Sequence, residues 1–136
     1  MKKLFYIVIA LIGVCALISL VLYSPAYKNL HTVNISSNNT APNINVNKGQ
    51  LLSIELNSNP TTGYTWQLVE NYNHTIITKK SNTYISNSNN IGGGGVEIFT
   101  LETHASGQTK LDFIYSRAWE AGTPPAQTKT FNVNIN

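Results

Sequence analysis

The alternation of apolar and polar residues beyond residue 32 limits what this chain can fold into. A period of two residues is typical of half-buried strands, because successive side chains on a strand face opposite sides. No segment after residue 30 sustains the 3.6-residue period of a helix. The apolar positions of the alternating segments are Val33 and Ile35, Ile44 and Val46, Leu52 to Leu56, Tyr64 to Leu68, Ile76 and Ile77, Phe99 and Leu101, Leu111 to Tyr115, and Phe131 to Ile135.

Chain length and cysteine content bear on how such strands can form a stable domain. The 136 residues suffice for one domain after a short N-terminal segment. The only cysteine, Cys15, lies in that segment, so the domain has no disulfide and no thiol nucleophile and depends on its core. We predict an all-β fold, an immunoglobulin-like β-sandwich of about seven strands, preceded by one N-terminal transmembrane or signal helix.

The N-terminal segment has the length and composition of a membrane-spanning helix. Residues 4-23 carry no charge and are almost wholly apolar, and Lys2 and Lys3 precede them. This length favours an uncleaved signal anchor, since the apolar region of a cleaved signal is usually shorter. Cleavage is the alternative, because residues 24–26 include small side chains that a signal peptidase accepts.

The same segment predicts how the chain is divided and where it is located. Residues 1-28 would be a signal anchor or signal peptide with a short tether, and residues 29-136 would be the domain. The lysine pair places the N-terminus inside and the domain outside. We therefore expect an extracytoplasmic protein, either membrane-anchored by residues 4-23 or secreted after cleavage. Export would permit glycans at the triplets of Asn34, Asn38 and Asn73, although a chain rich in Asn and Thr also produces such triplets by chance.

The charges of the domain argue against a nucleic-acid partner. The net charge of +3 corresponds to Lys2, Lys3 and Lys28, because the rest of the chain carries six basic and six acidic residues. A neutral domain lacks the basic face that follows phosphates, so we expect no nucleic-acid binding. The six acidic residues are interpreted as ordinary surface charge.

Residue types that enzymes use are present, but not in catalytic arrangements. His31, His74 and His104 are scattered and lack the spacing of metal ligands. No serine stands in a nucleophile elbow. We therefore predict no catalytic residue, no metal site, no cofactor and no enzymatic activity, which leaves a binding protein.

The segment from Asn59 to Tyr64 is the most distinctive candidate for a binding loop. Pro60 restricts its own φ and keeps Asn59 extended, while Gly63 permits a left-handed residue before an aromatic strand. A stiff exposed turn loses little conformational entropy when it binds. A purely structural turn, with Trp66 in the core, is the alternative.

Two further segments are candidates for the same end of the sandwich. Gly92–Gly95 would let the backbone approach a partner closely, unless the stretch from 78 to 95 is only a flexible linker. Trp119 would be an exposed binding residue, unless it folds under the turn at 122–125. In an immunoglobulin-like sandwich, the loops at 59–64, 87–95 and 116–126 emerge side by side.

Together these segments resemble the chagasin-type inhibitors of papain-like cysteine proteases (protease inhibitor family I42). The family motif Asn-Pro-Thr-Thr-Gly, followed by an aromatic, one residue and Trp, is met in full at residues 59–66. A glycine-rich loop before Phe-Thr is met by Gly92–Gly95 with Phe99 and Thr100. The motif Arg-Pro-Trp-Glu is met from Arg117 except that Ala118 replaces proline. The resemblance covers roughly residues 31 to 136.

The resemblance implies a reversible, competitive inhibitor that needs no covalent step. The tip of the Asn59–Gly63 turn would enter the active-site cleft, the glycine-rich loop would follow the non-primed side, and Trp119 would pack on the primed side. The partners would be a papain-like cysteine protease and, through the N-terminal helix, a membrane, with a monomeric domain. The alternative is an extracytoplasmic immunoglobulin-like adhesion or ligand-binding module that uses the same loops on a non-protease partner. The implied protease-binding residues are Asn59, Pro60, Thr61, Thr62, Gly63, Tyr64, Gly92, Gly93, Gly94, Gly95, Arg117 and Trp119.

Overall fold

The computed structural model describes residues 32–36, 43–87, 93–120 and 122–136. In these ranges the chain forms eight strands in two sheets, which confirms the all-β prediction. The strands are β1 (Thr32–Ile35), β2 (Asn43–Val46), β3 (Leu51–Ser58), β4 (Tyr64–Leu68), β5 (Ile77–Ser86), β6 (Gly95–Thr103), β7 (Gly107–Arg117) and β8 (Gln127–Ile135).

The predicted N-terminal helix lies outside the described residues, as does the whole segment 1-28. Within the ranges that the structure describes, no helix is long and apolar enough to cross a membrane. Residues Val33–Asn136 form one compact unit by their internal contacts. The division between 28 and 29 and the anchor therefore stay predictions.

The eight strands form two four-stranded sheets. Sheet A has the strand order β1-β3-β6-β5, and sheet B has the order β2-β8-β7-β4. In sheet B, β2 runs parallel to β8, whereas β7 is antiparallel to both β8 and β4. In sheet A, β6 is antiparallel to β3 and β5.

The core forms where the inward faces of the strands meet. On β6, buried residues alternate with half-buried ones along the whole strand, as the two-residue period predicts. Phe99 of β6 packs edge-on against Phe113 of β7, with ring centroids 4.9 Å apart, and Phe113 packs in the same way against Phe131 of β8. Full burial of each such side chain contributes about 1.5–3 kcal/mol, which compensates for the absence of a disulfide in the described residues.

Strand β5 excludes the alternative of a flexible linker for the first part of the stretch from 78 to 95. Residues 78–86 belong to a ten-residue strand that pairs with β6 as far as Ser86. The side chains of β5 from Lys79 onward are exposed, so the strand lacks the alternating pattern that marks burial. Backbone pairing with β6 holds it in place, and this strand lies at the edge of sheet A.

The strand registers bring three connections to one end of the sandwich. At the end of sheet A, Ser58 of β3 lies opposite Gly95 of β6, which lies opposite Ser86 of β5. In sheet B, Tyr64 of β4 lies opposite Arg117 of β7. The connections 59–63, 87–94 and 118–126 therefore emerge at the same end, as the sandwich topology predicted.

Candidate functional site

The turn from Asn59 to Gly63 is held by hydrogen bonds within itself. Residues Pro60–Thr62 form one 3₁₀ turn, in which Thr62 N donates to Asn59 O (3.1 Å) and Gly63 N donates to Pro60 O (2.9 Å). Gly63 has a φ of 83°, the left-handed conformation that glycine adopts most readily. The sequence predicted an extended Asn59 and a left-handed Gly63, and both conformations are present in the structure.

Side chains reinforce this turn. The hydroxyl of Thr61 donates to Oδ1 of Asn59 (2.6 Å), and the hydroxyl of Thr62 donates to O of Asn59 (2.6 Å). Thr61 and Thr62 are both exposed, so the tip of the turn faces solvent while Asn59 anchors it. The turn therefore presents a surface that is already ordered before any partner arrives.

The two stems of the turn are tied to each other and to sheet B. The indole N–H of Trp66 donates to O of Asn57 (2.8 Å), which links the residues on either side of the turn. The backbone N–H of Asn59 donates to the hydroxyl of Tyr115 on β7 (2.9 Å). Trp66 itself is buried in the core, as the structural alternative for this residue expected.

Glu97 ties the same stems together from sheet A. Its Oε1 accepts hydrogen bonds from the hydroxyl of Ser58 (2.6 Å) and from the backbone N–H of Trp66 (3.0 Å). Its Oε2 accepts a bond from the side-chain amide of Asn82 (3.3 Å). Strand β4 lies at the edge of sheet B, so the outward N–H of Trp66 has no neighbouring strand to accept from it. The carboxylate of Glu97, from sheet A, is the acceptor instead.

The expectation that all six acidic residues are surface charge is wrong for Glu97. This side chain is only 3% exposed, and donors from three residues replace water around its carboxylate. One sequence signal could have identified it. Position 97 is in phase with Phe99 and Leu101, so a residue there faces inward on β6.

Arg117 and Tyr64 lie at the base of the Asn59–Gly63 turn and hold its backbone. The guanidinium of Arg117 lies 4.4 Å from the centre of the Tyr64 ring, and its Nε donates to O of Thr62 (3.1 Å). Nη1 donates to Glu120 (2.8 Å), and this hydrogen bond raises the pKa of the Arg117 guanidinium. Tyr64 in turn stacks on Tyr115, with ring centroids 5.3 Å apart. The donors of Arg117 are thus directed at its own chain.

Trp119 is exposed and lies against the turn. Its side chain is 69% exposed, which excludes the alternative that it folds under the turn at 122–125 as a core residue. A Cβ atom on Gly63 would overlap Cη2 of Trp119 and would lie 2.8 Å from its Cζ2, so the indole rests directly on the Gly63 backbone. A tight turn from Arg117 to Glu120, closed by Glu120 N donating to Arg117 O (3.1 Å), holds the tryptophan there.

The predicted glycine-rich segment divides into residues with different roles. Gly92 lies outside the described residues, and Gly93 and Gly94 lie in the loop next to the turn. A Cβ on Gly94 would lie 3.5 Å from O of Ser58, and Gly94 O accepts from Asn87 N (3.1 Å) to close the hairpin. Gly95 is the buried first residue of β6, and a Cβ there would overlap the backbone O of Ile85, so packing also requires glycine at this position.

Titratable side chains elsewhere have ordinary structural partners. In the described part of the chain, no group of three His, Cys, Asp or Glu residues could hold a metal ion. His104 lies 2.7 Å from the hydroxyl of Thr78, and His74 lies 3.5 Å from Glu70. A hydrogen bond from Thr130 is the main cause that lowers the pKa of Asp112. Each of these side chains therefore has a partner within the domain.

Comparison with known proteins adds an independent finding. A family model described as the chagasin family peptidase inhibitor I42 matches residues 45–135. Chagasin of Trypanosoma cruzi is 29% identical over 92 residues, which cover 65% of this chain and 84% of chagasin. Amoebiasin-2 of Entamoeba histolytica is 26% identical over 117 residues, which cover 84% of this chain and 92% of that protein.

The fold also matches a solved structure. The crystal structure of the cysteine protease inhibitor EhICP2 from Entamoeba histolytica superposes with a TM-score of 0.68 at 24% identity. The match covers 77% of this chain and 96% of that one. At this level of identity the likeness establishes a shared fold.

Proposed function

This chain belongs to the chagasin family of peptidase inhibitors (I42), and from that membership we propose that it is a reversible, competitive inhibitor of papain-like cysteine proteases. The observation that carries the mechanism is the Asn59–Gly63 turn, which is ordered by its own hydrogen bonds and exposes Thr61 and Thr62. The turn enters the active-site cleft and blocks access to it. The chain is therefore an inhibitor rather than an enzyme.

The affinity of such an inhibitor depends on order that exists before binding. Glu97, Tyr115 and Arg117 hold the stems and the backbone of the turn, so little conformational freedom is lost when the turn docks. The two threonine hydroxyls already donate within the turn, which reduces their desolvation on binding. No nucleophile or covalent step is needed, because occupancy of the cleft excludes the substrate.

The neighbouring loops contact the walls of the cleft. Gly93 and Gly94 present main chain without side chains on one side of the turn, next to Ser58. Trp119 presents an exposed indole on the other side, above Gly63. Tyr64 and Arg117, which the family resemblance counts among the binding residues, act by supporting the turn.

The protein acts outside the cytoplasm. The support for this location is the uncharged run of residues 4-23 with Lys2 and Lys3 before it, which is suited to an anchor or an export signal. N-terminal sequencing of the protein recovered from the cell envelope and from the medium tests this. A start at Met1 in the envelope indicates an anchor, a start after residue 23 in the medium indicates cleavage, and an intact cytoplasmic chain contradicts export.

Titration of the full chain against papain tests the inhibitory function. We expect competitive inhibition of the hydrolysis of a fluorogenic peptide, complete at or below about 1 μM inhibitor. Absence of inhibition at that concentration would instead favour an adhesion or ligand-binding module with the same loops.

Trp119→Ala is expected to weaken inhibition of papain by about tenfold or more, because an exposed tryptophan braced on a rigid turn is a typical binding hot spot. The free energy of unfolding should change by less than about 0.5 kcal/mol, since the side chain is mostly in solvent. Inhibition constants and urea denaturation measure the two effects. Trp119→Phe keeps a ring over Gly63 and should recover part of the affinity. If Trp119→Ala inhibits papain with the wild-type inhibition constant, Trp119 does not contribute to binding.

Ala118→Pro is expected to stabilise the domain and tighten inhibition. Ala118 is the second residue of the turn from Arg117 to Glu120, the position where proline is favoured, and Arg117 before it belongs to a strand. Proline there should raise the free energy of unfolding by about 0.4–1 kcal/mol and tighten inhibition by up to about fivefold. Thermal unfolding and papain titration check this, and weaker binding would contradict the role of loop rigidity.

A further inference from the structure

Three large hydrophobic side chains are exposed in the described part of the chain, and all three lie at the end that carries the turn. They are Trp119 (69% exposed), Ile85 (50%) and Tyr84 (37%). Tyr84 and Ile85 are the last residues of β5 before Ser86, which lies opposite Gly95 at the base of the glycine-rich loop. Single exposed hydrophobic residues are common, but two of them at a sheet edge beside a binding loop are a better candidate for a contact surface.

Tyr84 is braced in the same way as Trp119. A Cβ atom on Gly95 would lie 2.7 Å from Cε2 and Cζ of Tyr84, just as a Cβ on Gly63 would collide with Trp119. Each aromatic ring therefore rests on the backbone of a glycine at the loop end of the sandwich. A ring that is exposed yet held by the backbone loses little rotamer freedom on binding, and tyrosine and tryptophan are enriched among binding hot spots.

The position of β5 explains why these side chains stay exposed. Tyr84 lies opposite Glu97 on the inward-facing side of the sheet, whereas Ile85 lies opposite Val96 on the outer side. Because β5 is an edge strand of sheet A, a molecule that contacts this edge can reach both side chains.

The charge pattern of β5 distinguishes its two halves. Lys79 and Lys80 lie at the irregularity in the first half, far from the loops, and Lys80 pairs with Glu102. From Ser81 to Ser86 the strand carries no charge. Exposed edge strands are usually protected from pairing by charged residues, so an uncharged half with two apolar side chains is suited to contact with a partner.

We propose that Tyr84 and Ile85 form a second apolar anchor for the same papain-like protease, on the side of the turn opposite Trp119. This proposal rests on the proposed inhibitory function. Gly94 approaches the Asn59–Gly63 turn at Ser58, and Trp119 approaches it at Gly63, so the glycine-rich hairpin and the tryptophan flank the turn from two sides. Tyr84 is two residues from the end of β5, about 7 Å along the strand, within reach of a cleft wall that receives the turn.

The anchor would add to the affinity for papain that the turn and Trp119 provide. Contact with the protease would remove the two apolar side chains from water, which favours binding. The family motifs quoted above do not include either residue, and the sequence pattern gave no role to either of them.

Inhibition constants against papain, measured with the full chain, test the proposal. We expect Tyr84→Ala to weaken inhibition by about tenfold and Ile85→Thr, which keeps a β-branched residue, by about threefold. Thr83→Ala is the matched control, an exposed position on the same strand farther from the loops, and should leave inhibition unchanged.

Trp119→Ala reports on the proposed function separately. If Trp119→Ala weakens inhibition while Tyr84→Ala and Ile85→Thr leave it within about twofold, the second anchor is wrong and the inhibitory function stands. If the wild-type chain does not inhibit papain, both proposals fail.

Hydroxyl-radical footprinting separates contact with the protease from a purely structural role. Tyr84 braces Gly95, so its removal could weaken inhibition by loosening the loop alone. A contact predicts that Tyr84 and Ile85 are oxidised in the free chain and protected in the papain complex, with the exposed His74, before the other end of β5, as the internal reference. Equal oxidation in the free and bound states would overturn the proposal even if the variants inhibit less well.

Discussion

Gly63→Ala is expected to weaken inhibition of papain by about thirtyfold or more. Two causes act together. Alanine at a φ of 83° adopts the left-handed conformation at a cost of about 1–2 kcal/mol. Its Cβ also occupies the space of the Trp119 indole, which must leave the turn. The variant therefore both distorts the tip of the turn and displaces Trp119. Papain titration measures the loss of inhibition.

Gly49→Ala is the matched control for this prediction. Gly49 has a φ of 82°, and no atom lies within 4 Å of a Cβ built there. Its N–H donates to O of Thr103, in the connection between β2 and β3 and away from the three loops. We expect the two variants to lose similar stability in urea denaturation, while Gly49→Ala inhibits papain like the wild type. If the two weaken inhibition equally, lower stability of the folded domain explains the effect, and neither the tip of the turn nor the contact between Gly63 and Trp119 is its cause.

Glu97→Leu is expected to destabilise the domain by about 2–4 kcal/mol, because it leaves the Ser58 hydroxyl and the Trp66 N–H buried without an acceptor. Both donors belong to the stems of the Asn59–Gly63 turn. We therefore expect inhibition to weaken as well, beyond the small fraction of unfolded chain. Urea denaturation and papain titration of the folded variant measure the two effects.

Glu97→Gln is the conservative counterpart that keeps an acceptor in place. The glutamine oxygen can accept from Ser58 and Trp66, while its amide group meets Asn82, whose side chain can rotate to accept from it. Stability within about 1 kcal/mol of the wild type and near-normal inhibition are expected. A glutamine variant as impaired as the leucine variant would mean that the negative charge, rather than the acceptor geometry, holds the stems.

Much of the fold could be predicted because burial leaves a local pattern. Strands such as β6 and β7 alternate in the sequence as they alternate in the structure, since one face packs on the core and the other meets water. Strand β5 could not be predicted in this way. Its side chains are exposed along most of its length, so its backbone pairing with β6 has no counterpart in the sequence pattern.

In the candidate site too, features set by neighbouring residues could be predicted, whereas contacts between distant residues could not. Pro60 and Gly63 restrict their own backbone angles, so the stiff turn could be predicted from adjacent residues alone. Arg117 is predicted to contact the protease, which stays a prediction, and the structure adds contacts with Thr62, Tyr64 and Glu120 that the sequence did not indicate. That contact depends on the register of β7 against β4, which places Arg117 opposite Tyr64.

By itself the sequence determined the all-β class, the inward phase of the strands and the conformation of the Asn59–Gly63 turn. Each depends on residues close together in the chain, whose backbone preferences and burial are local properties. Only the tertiary structure decided that Glu97 joins Ser58 to Trp66 and that Trp119 covers Gly63. It also decided that Tyr84 stands exposed over Gly95. These contacts join residues from different strands and loops, so strand register and sheet packing create them, and neither is a property of any short segment.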